Sequence, residues 1–115
     1  MPNDHHALLG IMDAINAIEQ YSVSFTSADN FHDSRINFDA TMMNFILIGE
    51  MVDRISDKFK TDHPDVDWTQ IKGLRNIIAH DYFGVDAEEI WQIIKNQLPN
   101  LKTSAKKLLI FLKKN

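Results

Sequence analysis

Apolar residues in this chain recur at spacings of three and four, and no run alternates apolar with polar side chains as a half-buried strand would. That periodicity confines the chain to all-α architectures. A first helix is expected over about Asp4 to Tyr21, where Leu8, Leu9, Met12, Ile15 and Ile18 form one stripe. The polar, β-branched stretch SVSFTSADN marks its end, and Ser27 can cap a short helix from Ala28 to His32. The longest apolar segment, about Asn37 to Lys60, carries Phe38, Met42, Phe45, Ile46, Val52, Ile55 and Phe59, a density that suits a central helix touched on more than one side. Gly49 inside that helix costs about 1 kcal/mol relative to Ala. Its presence predicts a close helix crossing.

The next stretch, TDHPDVD, reads as a loop because Pro64 disfavours helix at His63. Asp67 with Gln70, and Asp86 with Glu89, have the spacing of capping boxes and start helices at about Trp68 to Ala79 and Ala87 to Leu98. Pro99 suits the first turn of a last helix, about Asn100 to Lys113, with Leu101, Leu108 and Leu112 facing inward. With 115 residues, no internal repeat and no linker, the expectation is one domain over residues 1–115, an all-α bundle of four main helices plus the short one. A chain this small has a modest core, and self-association would bury more surface.

Composition removes several classes of chemistry. There is no cysteine, hence no disulfide framework, thiolate nucleophile or Cys-based zinc site. No stretch reaches the roughly 18 apolar residues of a membrane span, and MPNDHHALLG lacks the basic and apolar regions of a signal peptide, so a cytoplasmic location is expected. The net charge of −4 argues against a basic coat for nonspecific nucleic-acid binding. The charge is unevenly placed, because residues 101–115 hold five lysines and no acid. Those lysines read either as a solvated helix face complementing the helix dipole or as a local RNA-attracting edge.

One stretch, RNIIAHDYFG at residues 75–84, gathers an arginine, an asparagine, a histidine, an aspartate and a tyrosine beside apolar positions. Ile77 and Ile78 are expected to face the core. At about 100° per residue Asn76 and His80 share a helix face, whereas Arg75 and His80 leave one ideal helix about 140° apart. They can converge only where the helix ends or where two copies of the bundle meet. The pair suits phosphodiester chemistry without a metal: a histidine near its usual pKa of about 6.5 moves a proton between ribose and leaving oxygens. A guanidinium matches the growing charge of the phosphoryl group. The plain reading has Arg75 paired with an acid such as Asp81 or Glu50, and His80 capping its helix on a carbonyl.

The stretch matches R-x4-H-x-Y and resembles the signature of the HepT toxins within the HEPN superfamily of small all-helical ribonucleases. FILIGEMVDRIS resembles the family's I-G-E helix, PDVDWTQIKGLRN its Pro-x-x-x-Trp approach to the catalytic helix, and DYFGVDAEEIWQIIKNQLPNLK the helix and Leu-Pro turn that follow. The similarity runs from Leu8 to about Leu109. The resemblance implies a HEPN-type bundle and a metal-independent RNA endonuclease acting as a homodimer on tRNA or mRNA, with no cofactor. Arg75 and His80 from both copies would be catalytic, Asn76 would support them, and the two His80 would act as base and acid. It also implies a cognate minimal nucleotidyltransferase antitoxin, as in HepT/MntA-type toxin–antitoxin pairs, that neutralises the toxin by transferring AMP to the motif tyrosine, here Tyr82. The alternative is a noncatalytic helical partner that binds substrate or nucleotide for such a nucleotidyltransferase.

Weaker signals lie elsewhere. Asp4, His5 and His6 can touch a metal, but adjacent histidines on a helix point apart. His32 and His63 are expected in exposed loops, and Met42, Met43 and Met51 as core filler. Glu50 is either a solvated acid or a carboxylate carried to Arg75 by the Gly49 crossing. Trp68 and Trp91 are expected to anchor helix packing. Gly84 is expected to give the chain freedom to turn past the helix end, where a modifying enzyme gains access to Tyr82. If Tyr82 plays no special part, its ring should pack on Trp91 or Ile78 and its hydroxyl on a carbonyl.

Overall fold

A computed structural model describes residues 2–114 of the chain. It is all-helical among those residues: α1 (Pro2–Ser22), α2 (Ala28–Asp33), α3 (Arg35–Arg54), α4 (Asp57–Asp62), α5 (Trp68–His80), a 3-10 turn (Tyr82–Gly84), α6 (Ala87–Gln92), a π-helical segment (Ile93–Gln97) and α7 (Leu98–Lys114). The class is the expected helical bundle, though its segments outnumber the four main helices anticipated. The central layer is α1 against α3, with α5 on the far side of α3 and α7 against α1. Ala7, Leu8, Ile11, Ile15 and Ile18 of α1 pack into one buried cluster with Phe38, Met42, Phe45, Ile48 and Val52 of α3. Side chains of this size stabilise by about 1.5–3 kcal/mol each when fully buried. Leu9, expected in the α1 stripe, is instead 45% exposed, and Met43 lies on the outer face of α3. Met42 is core and Met51 half-buried, so only part of the methionine set fills the interior.

Phe31 explains why so short a helix as α2 holds. It is fully buried, with its ring 5.6 Å from those of Phe25 and Trp91 and 5.5 Å from that of Phe38. Ser27 caps the helix as expected, its hydroxyl accepting from the Asn30 amide at 3.2 Å. His32 belongs to this helix rather than to a loop, and its ring meets the edge of Phe38 at 4.8 Å. His63 is half-buried between Phe59 and Phe111.

The helix expected to run unbroken to Lys60 ends at Arg54. Ile55 is extended, Ser56 caps a new helix by accepting from the Phe59 amide at 3.2 Å, and α4 follows. The cause lies in α1. The buried Asp4 carboxylate accepts the Ser56 amide at 2.7 Å and the Ser56 hydroxyl at 2.9 Å. Asp4 is therefore engaged at the α3–α4 junction, while His5 and His6 point to solvent.

A second departure comes at Pro99, which lies in the first turn of α7 but opens no new helix. The chain passes from α6 through the π-helical segment directly into α7. A proline ring crowds the carbonyl four residues earlier, and the wider π turn before Pro99 relieves that crowding. In α7, Lys102 pairs with Glu19 at 2.7 Å, while Lys106, Lys107, Lys113 and Lys114 are exposed. No helix among the described residues is long and apolar enough to cross a membrane.

Candidate functional site

The candidate residues are carried by α5 and the turn after it. Asp67 starts the helix, its carboxylate accepting the Gln70 amide at 3.0 Å, and Trp68 pins that end by donating its indole N–H to the His63 carbonyl at 3.1 Å. Trp91 is buried against Phe31, and Lys95 lies over its ring at 4.4 Å. Both tryptophans thus anchor packing.

The helix crosses α3 at Gly49. A Cβ at that position would fall inside the Cβ and Cγ of Arg75, so the absence of a side chain is what lets the arginine stem lie across α3. Directly after Gly49 and one turn further along, α3 presents two acids, Glu50 and Asp53. Arg75 Nη2 pairs with Asp53 at 2.6 Å and Nη1 reaches Glu50 at 3.4 Å, leaving the arginine side chain 20% exposed. Asp53 is shared with Lys72 at 3.2 Å. Arg75 Nε is buried without a hydrogen-bond partner. Of the acids expected near Arg75, Glu50 is present and Asp81 is not. The stronger partner, Asp53, was missed in the sequence, although its position three residues after Glu50 put both on one face of α3.

His80 is the last residue of α5 and is exposed. Among the described residues its imidazole has no hydrogen bond or ion pair, so it does not cap the helix. The Asp81 amide does that, donating to the Ile77 carbonyl at 3.0 Å. Asn76 is half-buried beside Arg75. Ile77 does not face the core with Ile78. It is 57% exposed, and with Phe83 at 92% it puts large apolar surface near His80. No hydrogen bond or ion pair joins Arg75 to His80 within the described chain, in keeping with their separation around the helix.

Beyond His80 the chain tightens into the 3-10 turn. Gly84 ends that turn, as expected, without a left-handed backbone. It lies against the Asp81 carboxylate, where any Cβ would collide. Tyr82 swings back to α3: its ring meets the edge of Phe38 at 6.4 Å, and its hydroxyl donates to Asp39. Neither the expected packing on Trp91 or Ile78 nor a carbonyl acceptor is its main tie. Burial pushes the Tyr82 phenol up to about 12, and the bond to Asp39 and that residue's charge add to the rise. The same bond, with help from Arg35 at 3.1 Å, holds the Asp39 carboxyl below its ordinary value.

A groove of about 610 Å³ runs between α5 and the α6–α7 arm, lined among others by Phe45, Ile71, Leu74, Ile77 and Leu101. Arg75, His80 and Tyr82 are not among its walls, so size alone does not locate the polar cluster.

An all-α bundle that sets an arginine and a histidine five residues apart on one helix, with a tyrosine just past its end, has the frame of a helical nuclease. The family model described as ribonuclease HepT-like matches residues 11–108. The chain is 33% identical over 98 residues to "Probable ribonuclease HepT" of Thermococcus cleftensis, covering 85% of this chain and 88% of that one. A protein of Methanocaldococcus jannaschii named "Putative RNase" is 30% identical over 95 residues, covering 83% of this chain and 86% of that one. A longer protein of that organism, named "Gamma-glutamylcyclotransferase and putative RNase", is 30% identical over 105 residues, which are 91% of this chain and 47% of its own length. No solved structure matches. The chain belongs to the HepT-like ribonuclease family.

Proposed function

We propose that this chain is a metal-independent RNA endonuclease, the toxin of a HepT/MntA-type pair, acting in the cytoplasm as a homodimer of single-domain subunits. The observation that carries the reading is the state of His80, an exposed imidazole at a helix end with no partner among the described residues, in a chain of the HepT-like ribonuclease family. A histidine free of internal bonds is available to take or give a proton. In this reading one His80 removes the proton of a ribose 2'-hydroxyl as its oxygen attacks phosphorus. The His80 of a second copy protonates the departing 5'-oxygen, leaving a 2',3'-cyclic phosphate. Arg75 holds the phosphoryl oxygens and Asn76 supports it. The 140° between Arg75 and His80 is the reason two copies are needed.

Neutralisation follows from Tyr82, two residues from His80. Transfer of AMP to its hydroxyl by a small nucleotidyltransferase would put a bulky anion beside the histidine and oppose RNA binding.

The test is cleavage of tRNA and mRNA by purified, unmodified protein in EDTA. The reading expects cuts with cyclic phosphate ends that vanish in His80→Ala, and a dimer by sedimentation. Cleavage by His80→Ala at the parent rate would remove His80 from the reaction. The second reading, a noncatalytic partner of a nucleotidyltransferase, draws on the pairing of Arg75 with Glu50 and Asp53. It expects RNA or nucleotide binding with no cleavage under any of these conditions.

A further inference from the structure

We propose that Asp39 is the proton acceptor when Tyr82 is modified, so that the toxin itself supplies the general base of its own neutralisation. This rests on the reading of Tyr82 as the residue that receives AMP. Asp39 lies 43 residues from Tyr82 in the chain, yet its Oδ1 takes the hydrogen bond of the very hydroxyl that must react. Its other oxygen, Oδ2, is held by Arg35 Nε at 3.1 Å, which fixes the carboxylate's orientation. The Phe38 ring stands at 88° to the Tyr82 ring and limits its swing. Asp39 is 45% exposed and Arg35 75% exposed, so the part-buried bond from Tyr82 ends on a carboxylate at the protein surface, where a second protein carrying ATP can approach. His32 of α2 is the other titratable group near the Asp39 carboxylate.

The need for an acceptor follows from the phenol. With its proton held to about pH 12, Tyr82 does not ionise ahead of the reaction, and the proton must leave as the new bond forms. In the step the Tyr82 oxygen bonds the α-phosphorus of ATP, the bond from that phosphorus to the bridging oxygen breaks, and pyrophosphate departs with the electron pair. The phenolic proton passes to Asp39 Oδ1. The nucleotidyltransferase supplies ATP and magnesium. A carboxylate that accepts the proton of an attacking hydroxyl is the arrangement protein kinases use, there on the enzyme's side.

The experiment incubates the full-length protein with its nucleotidyltransferase, ATP and magnesium, and follows AMP addition by intact mass and peptide mapping. Asp39→Asn keeps the shape and an oxygen to accept the bond but takes no proton near neutrality, and it should be labelled about 10²-fold more slowly. Its residual rate should climb with pH more steeply than that of the parent. Asp39→Glu should recover much of the rate, and added formate should restore labelling of Asp39→Ala, which carries the test if the Asn variant misfolds. Labelling of Asp39→Asn at the parent rate overturns this inference and leaves the Tyr82 reading intact. Equal slowing in the Asn and Glu variants, with no rescue by formate, makes Asp39 a structural tie and also overturns it. A parent protein that takes no AMP on Tyr82 overturns the underlying reading, and this one with it.

Discussion

The stem of Arg75 lies across α3 at Gly49, so closely that the arginine occupies the space a Cβ would need. Gly49→Ala would gain about 1 kcal/mol of helix propensity and lose more by forcing α5 away from α3, since overpacking typically costs about 1–3 kcal/mol. The atoms in the way are the inner part of the side chain, which cannot swing aside as a flexible tip can. A net loss of about 1 kcal/mol in urea unfolding is expected, along with weakened RNA cleavage because Arg75 is displaced. An alanine variant more stable than its parent would show that α3 and α5 separate freely.

Glu50 and Asp53 offset the charges of Arg75 and Lys72, so an approaching phosphate meets a neutral cluster. Glu50 is the longer of the two contacts to Arg75, at 3.4 Å, and its removal disturbs the arginine least. Glu50→Gln, measured in a His80→Ala background that the proposed function expects to be unable to cut, should bind RNA more tightly. The slope of log affinity against log salt should steepen by roughly one counterion. Unchanged affinity and slope would place the RNA path away from Arg75.

Asp4 and Ser56 tie the start of α1 to the break between α3 and α4. Asp4→Ala would leave a Ser56 amide and hydroxyl without their acceptor in a buried place. A hydrogen bond to a charged group is worth about 1.5–3 kcal/mol, and a loss in that range is expected from urea unfolding. Ser56→Ala keeps the backbone amide on Asp4 but also removes the hydroxyl that caps α4 through the Phe59 amide, so a loss of about 1–2 kcal/mol is expected there as well. A double variant should cost less than the two single losses combined, since both remove the same bond.

Burial of Tyr82 and its bond to Asp39 make stability depend on pH at both extremes. The phenol is raised from 10.0 to about 12, so its contribution is whole below pH 10.0 and is lost as pH rises toward 12. Asp39 is lowered from 3.8, so its contribution is present above that value and lost as pH falls through the lower folded value. Arg35 and His32 are the other charged and titratable groups near Asp39. Ultraviolet titration should show one phenolate appearing late in the parent and absent in Tyr82→Phe. The Phe variant should also melt with less change between pH 9 and 11, and identical profiles for the two proteins would show that Tyr82 is neither buried nor bonded to Asp39 in solution.

Much of this molecule was readable along the chain because helices repeat locally. Spacings of three and four determined the all-α class, Ser27 and Asp67 announced their helix starts, and Gly49 announced a crossing before its partner was known. RNIIAHDYFG could be placed at a helix end, and the angle between Arg75 and His80 could be computed, since both follow from 3.6 residues per turn. What only the tertiary structure decided lies between segments. Asp53 meets Arg75 across 22 residues, Tyr82 finds Asp39 across 43, and Asp4 ends a helix 52 residues away. Periodicity tells which face a side chain occupies, but it reaches only to the next turn of the same helix. The partner that arrives on that face is selected by how whole helices pack.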